Sequence, residues 1–175
     1  LNAEVYTGTA QWGKAAEYAQ KLIGEDSVEN LGRHGMEPQL VSVNDRVEGM
    51  QFICDCVKLE GFVQGVKDGR RFETCGVICM DMDEARSVYE CLGKLLYERG
   101  VDVKDRLMLV DKYSEEFRTG IVVTTFYLAK GLEFDQVFVW SAKGQDAPVY
   151  RQAKYIGATR ALHELYMLEC QGDRA

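Results

Sequence analysis

Apolar and polar positions follow two rhythms along this chain. Short β-rich apolar runs recur between longer stretches of helical spacing, which predicts crossover helices on a mostly parallel sheet and an α/β fold class. Gln11 to Ile23 carries Trp12, Ala15, Ala16, Ala19, Leu22 and Ile23 at helical spacing and stops at Gly24, a residue suited to a helix C-cap. Gln39 to Val43 reads as a strand after Pro38, with Asn44 as the N-cap of a helix running toward Gly65. Cys75 to Met80 reads as a buried strand, with Asp81 or Asp83 capping a helix through Arg99 that Gly100 closes. Arg106 to Val110 reads as a short strand, and the β-branched and aromatic runs Gly120 to Phe126 and Gln136 to Trp140 suit central strands. A helix between Val149 and Leu165 and a strand from Tyr166 to Cys170 complete the pattern.

The 175 residues suffice for one sizeable core, and no segment approaches the roughly 18 unbroken apolar residues of a membrane span. Lys and Arg total 21 against 28 Asp and Glu, a net charge of −7, so contact with nucleic acid has to be local rather than carried by a basic surface. The six cysteines show no paired C-x-x-C spacing, and neither His34 nor His163 stands at a ligand-like distance from them. They read as reduced core residues, no metal site is expected, and without an export signal the expected compartment is the cytoplasm. Leu1 in place of an initiator Met points to a start inside a longer chain.

Two stretches carry candidate chemistry. In the first, an apolar strand ends at Thr125, a turn is built around Lys130-Gly-Leu-Glu133, and a second strand follows from Gln136. This reads as a cation, a glycine and a carboxylate grouped at a strand's carboxyl end, where α/β sheets bind ligands. Gly131 permits close backbone approach to a phosphate or ribose, and Glu133 can accept hydrogen bonds from sugar hydroxyls. A solvated turn between strands fits the same residues. In the second, Tyr155 to Leu165, Arg160 lies on the expected helix beside the small residues Gly157, Ala158 and Ala161. A surface arginine paired with Glu164 at i+4 fits equally well.

Together the two stretches resemble the fifth and sixth motifs of superfamily 1 helicases of the UvrD, Rep and PcrA type. The fifth motif, Thr-x-His-x-(Ala/Ser)-Lys-Gly-Leu-Glu-Phe, is met by Thr125, Ala129, Lys130, Gly131, Leu132, Glu133 and Phe134, with Tyr127 in place of histidine. The sixth, Tyr-Val-Ala-x-Thr-Arg-Ala, corresponds to Tyr155-Ile-Gly-Ala-Thr-Arg-Ala161. The wording of both stretches is most similar to the HelD branch, whose members include RNA polymerase recycling motors.

The resemblance implies a RecA-like domain spanning 1–175, the second motor domain of an ATP-dependent DNA helicase or translocase and part of a longer protein. It implies that Lys130, Gly131 and Glu133 face the nucleotide, that Arg160 is the catalytic arginine reaching the γ-phosphate, and that Thr125 and Tyr127 touch single-stranded DNA or RNA. ATP and Mg2+ would be held mainly by a first RecA-like domain of the same protein; RNA polymerase is a further implied partner, and a membrane is not. One departure stands out. The family's early Tyr-Arg-Ser-Thr motif has as its nearest counterpart Tyr6-Thr-Gly-Thr9, without arginine. Two other readings stay open at this level: a non-catalytic docking module, and a self-contained P-loop enzyme built on Gly8 to Lys14 with Asp81 on magnesium. The second lacks the Ser or Thr that should stand at Ala15.

Overall fold

The computed structural model describes residues 37–59, 72–112 and 119–172. The expected helix at Gln11 to Ile23, the Tyr6 to Thr9 segment, the Gly8 to Lys14 pattern and His34 lie outside these residues.

Six strands form one sheet: β1 (Gln39–Val43), β2 (Thr74–Cys79), β3 (Leu107–Leu109), β4 (Gly120–Thr125), β5 (Phe134–Ala142) and β6 (Ala161–Cys170). Their order is β1-β6-β5-β2-β4-β3, and every pairing is parallel. Parallel strands need crossovers that cover both faces, which is why β2, β4 and β5 are almost continuously apolar and buried. Helices α1 (Arg46–Cys56) and α2 (Met82–Glu98) share a core on one face with Phe138, Trp140 and Leu168. Helix α3 (Pro148–Ala158) covers the other face over Ile78, Val122, Val137 and Val139. This is the three-layer RecA-like arrangement expected from the sequence.

Local chemistry sets the helix ends. Asp45, rather than Asn44, caps α1 by accepting from Glu48 N at 2.8 Å, while the Asn44 backbone N–H donates to the Glu48 carboxylate at 2.7 Å. The helix ends at Cys56 because Val57 turns extended, well short of Gly65. Asp81 caps α2 through Glu84 N, and Gly100 at φ +79° follows its C-cap.

The largest departure from the sequence pattern is at the C-terminal end of the chain. The helix expected to run through Leu165 stops at Ala158, and β6 begins at Ala161. Residues 161–165 have helical propensity, but pairing of Ala161 with Phe134 and Leu165 with Val137 overrides it.

Two polar knots tie the layers together. The buried Glu164 carboxylate accepts from Lys58 Nζ at 2.7 Å, Tyr166 Oη at 2.9 Å and Gln136 Nε2 at 3.3 Å, and Gln136 also donates to Cys56 O. Both oxygens of the carboxylate are therefore bonded, which such burial requires. On the same face the indole N–H of Trp140 donates to Glu84 at 2.6 Å, with Arg46 at 3.4 Å from that carboxylate. All six cysteines are outside disulfides; Cys75 and Cys79 are fully buried, and burial pushes the Cys54 thiol up to about 11.

Helix α1 can approach β5 only through Gly49, where an added Cβ would lie 2.4 Å from the Trp140 ring. Trp140 is pinned by Glu84, so Gly49→Ala is expected to lower stability by about 1–3 kcal/mol. Denaturant unfolding checks this, and a loss below about 0.5 kcal/mol would show that the ring yields.

Candidate functional site

All strands run the same way, so their carboxyl ends share one edge of the sheet and their amino ends the other. Thr125 closes β4 at the carboxyl edge, level with Cys79. Phe134 opens β5 at the amino edge, paired with Ala161. The segment between them, 126–133, therefore travels the length of the six-residue β4, roughly 20 Å at about 3.3 Å per strand residue. It is held by Phe126 N on Cys79 O, Ala129 N on Thr125 O and Leu132 N on Ala129 O, with Ala129 fully buried. This corrects the sequence expectation: Lys130-Gly-Leu-Glu133 is not gathered at a carboxyl end but leads to the amino edge, and the motif is divided between two places.

At the amino edge the two motif stretches meet. Arg160 is not on a helix; it occupies the turn between α3 and β6, and its carbonyl accepts from Phe134 N at 2.8 Å. The guanidinium donates to Ile156 O at 3.3 Å and Thr159 Oγ1 at 3.1 Å, with a longer contact to Leu132 O at 3.5 Å. All three acceptors are neutral. Glu164 cannot be its i+4 partner, because that side chain is buried on β6 in the knot with Lys58. Burial pushes the Arg160 guanidinium below its ordinary value, opposed by the charges of Glu133 and Tyr155. Arginine stays protonated through such a shift, so a half-buried cation sits beside Glu133 with no hydrogen-bonded carboxylate among the described residues. Gly131, at φ +83°, has open space where a Cβ would stand, so the backbone conformation demands glycine and the approach to it is unobstructed.

At the carboxyl edge Thr125 and Tyr127 line one cavity of about 420 Å³ together with Leu128 and Met82. Its charged rim is Arg86, Asp111 and Lys112. Thr125 is buried, its hydroxyl accepting from Leu128 N at 3.3 Å. Tyr127 lies beyond the end of β4 and is 67% exposed, so it is not core packing beneath the loop. Lys130 joins this place rather than the amino edge, its ammonium lying 5.0 Å from the centre of the Tyr127 ring. Asp81, which the P-loop reading places on magnesium, uses its carboxylate to cap α2.

Two residues of the amino edge escaped sequence reasoning. Asp135 gathers the backbone N–H groups of Glu73 and Thr74 and the Thr74 hydroxyl at 3.0–3.2 Å, and Gly76 leaves room for the Phe134 ring, 2.6 Å from where a Cβ would stand. The available signal was an acid placed among apolar strand residues.

Residues 120–168 match the UvrD-like helicase C-terminal domain. That interval runs from the first residue of β4 into β6 and contains Thr125, Tyr127, Lys130, Gly131, Glu133 and Arg160. Among solved structures, the C-terminal domain of a possible DNA helicase from Lactobacillus plantarum WCFS1 is similar, with 25% identity and a TM-score of 0.58 over 81% of this chain and 78% of that one. No curated protein matches the chain.

An exposed ring can be removed without opening a cavity. Tyr127→Ala in the full-length protein is expected to change stability by less than about 1 kcal/mol, the scale of its contact with Lys130. If the ring stacks on a base, single-strand affinity falls by about 1–3 kcal/mol. Paired melting and fluorescence-anisotropy titrations separate the two effects, and lost stability with unchanged affinity would return Tyr127 to a structural role.

Proposed function

We propose that this chain is the second motor domain of an ATP-dependent helicase or translocase on single-stranded DNA or RNA, closest in kind to the HelD branch. The observation that carries the reading is the meeting of Arg160 with Leu132 and Glu133. Residues far apart in sequence bring a half-buried guanidinium, met by neutral acceptors, against an exposed carboxylate at one edge. Such an arrangement suits a nucleotide held by a partner domain. Glu133 accepts from the ribose hydroxyls, and Arg160 swings from its carbonyl contacts onto the γ-phosphate when the cleft closes. Phosphoryl transfer is mostly positioning and charge neutralisation, and an arginine finger is worth on the order of 10³–10⁵ in rate. Mg2+ and the phosphate cradle belong to the first RecA-like domain, while Thr125, Tyr127 and Lys130 serve the nucleic-acid strand at the opposite edge. The match of residues 120–168 to the UvrD-like domain supports this reading.

In the full-length protein, Arg160→Ala is expected to cut nucleic-acid-stimulated ATP turnover by roughly 10²-fold or more with folding intact. Unchanged turnover would remove the arginine finger. Glu133→Ala is expected to raise the KM for ATP instead, because a ribose contact acts equally in ground and transition states. One wall of a cleft binds nucleotide weakly, so the isolated 175-residue chain is expected to bind Mg-ATP with Kd above about 1 mM and not to hydrolyse it. Micromolar binding by calorimetry, abolished by Lys14→Ala, would turn the assignment to the P-loop enzyme.

A further inference from the structure

Strand β5 changes face at its start. Phe138 and Trp140 point into the core under α1 and α2, so simple alternation would put Phe134 there as well. Phe134 instead packs in the α3 core with Val137 and Val139. The pairing register with β6 shifts here: Phe134 to Gln136 is two residues on β5, while their partners Ala161 to Glu164 are three apart on β6, so Asp135 is the single residue facing a bulge of Leu162 and His163. Bulges re-aim side chains, and the residue facing this one, Asp135, stands two positions after Glu133 and beside the bond from Phe134 N to Arg160 O.

The β5 side of this irregularity is held by a bracket to the start of β2. One carboxylate oxygen of Asp135, Oδ2, accepts from Glu73 N at 3.0 Å, Thr74 N at 3.1 Å and Thr74 Oγ1 at 3.2 Å, and Asp135 N donates back to Thr74 Oγ1 at 2.9 Å. The other oxygen faces His163 Nε2 at 3.7 Å, and that ring is stacked on Phe72 at 5.5 Å. Three donors on one oxygen, with a reciprocal bond beside them, leave β5 a single way to begin.

We infer that Asp135 is a positioning residue: by holding the irregular start of β5 against Thr74 it sets the direction in which Glu133 leaves the sheet and the distance between Glu133 and the Arg160 turn. This rests on the reading of Glu133 as a nucleotide contact. Asp135 touches no ligand itself, so its removal acts through Glu133. Because the bracket uses one oxygen, an asparagine can present its carbonyl oxygen there and preserve it, whereas alanine cannot.

The test uses the full-length protein with ATP as the probe. Asp135→Ala is expected to raise the KM for ATP about tenfold, as Glu133→Ala does, with kcat changed less than about threefold. Asp135→Asn is expected to stay within about threefold of the parent, and the Asp135→Ala, Glu133→Ala double variant to show no greater KM than Glu133→Ala alone. Additive effects, or a fall in melting temperature with KM unchanged, would overturn the inference. Amide hydrogen exchange gives a readout that needs no nucleotide. Asp135→Ala should lose protection at Phe134 while the β2–β4 pairing keeps its own, and retained protection at Phe134 would overturn the positioning role outright. Lost protection together with an unaltered KM in Glu133→Ala would uphold the positioning role and discard the nucleotide reading.

Discussion

Strand β5 is paired on both sides and packed on both faces, and the other elements are arranged around that constraint. Its neighbours β2 and β6 are parallel to it, so each must be reached by a crossover, and the crossovers supply the two helical layers. Trp140 receives Gly49 of α1 and donates to Glu84 of α2 from one face, while Val139 receives Gly157 of α3 on the other. A strand so enclosed cannot slip by one residue without turning Phe138 and Trp140 into the wrong core. The single departure from alternation, at Asp135, is therefore a local and fully bonded exception.

Charge in this acidic chain is mostly paired where it is buried. Lys58 meets Glu164, Arg46 meets Glu84 and, nearer the surface, Arg99 meets Asp55. Two cations are different: the buried Lys154 donates to Gln145 O, and the acceptors of Arg160 are two carbonyls and a hydroxyl. Carbonyl contacts satisfy the N–H groups without cancelling the positive charge, so the field of Arg160 extends outward beside Glu133. A carboxylate in the same place would have held the side chain as firmly and neutralised it.

Much of this architecture was legible in the residues. Gln39–Val43 appears as read, Asp81 and Gly100 bound the second helix, and the apolar runs at Cys75, Gly120 and Gln136 are the central strands. Propensity misled where pairing outweighed it: Ala-Leu-His-Glu-Leu after Arg160 suits a helix in isolation, yet it is half of β6 because β5 offers a full ladder of partners. That error also placed Arg160 on a helix and gave it Glu164 as a neighbour. The site residues could be named from their motif order, but not their distribution, since no local pattern says that eight residues between Thr125 and Phe134 cross the whole sheet. Asp135 was hidden for the same reason, its partners being supplied by a strand sixty residues earlier in the chain, at 61 and 62 positions' separation.

The passage from Thr125 to Phe134 is short, internally bonded and anchored at each end in a strand of the same rigid sheet. It is a single bridge between the two rims. Ala129 is sealed in the core between the two ends, and Thr125 and Ala129 each accept a backbone bond from within the segment. Tyr127 and Glu133 are fixtures on that one bridge, facing opposite rims of the domain. The ring at one rim and the carboxylate at the other are thus parts of one short, buried-at-the-middle segment rather than of two separate loops.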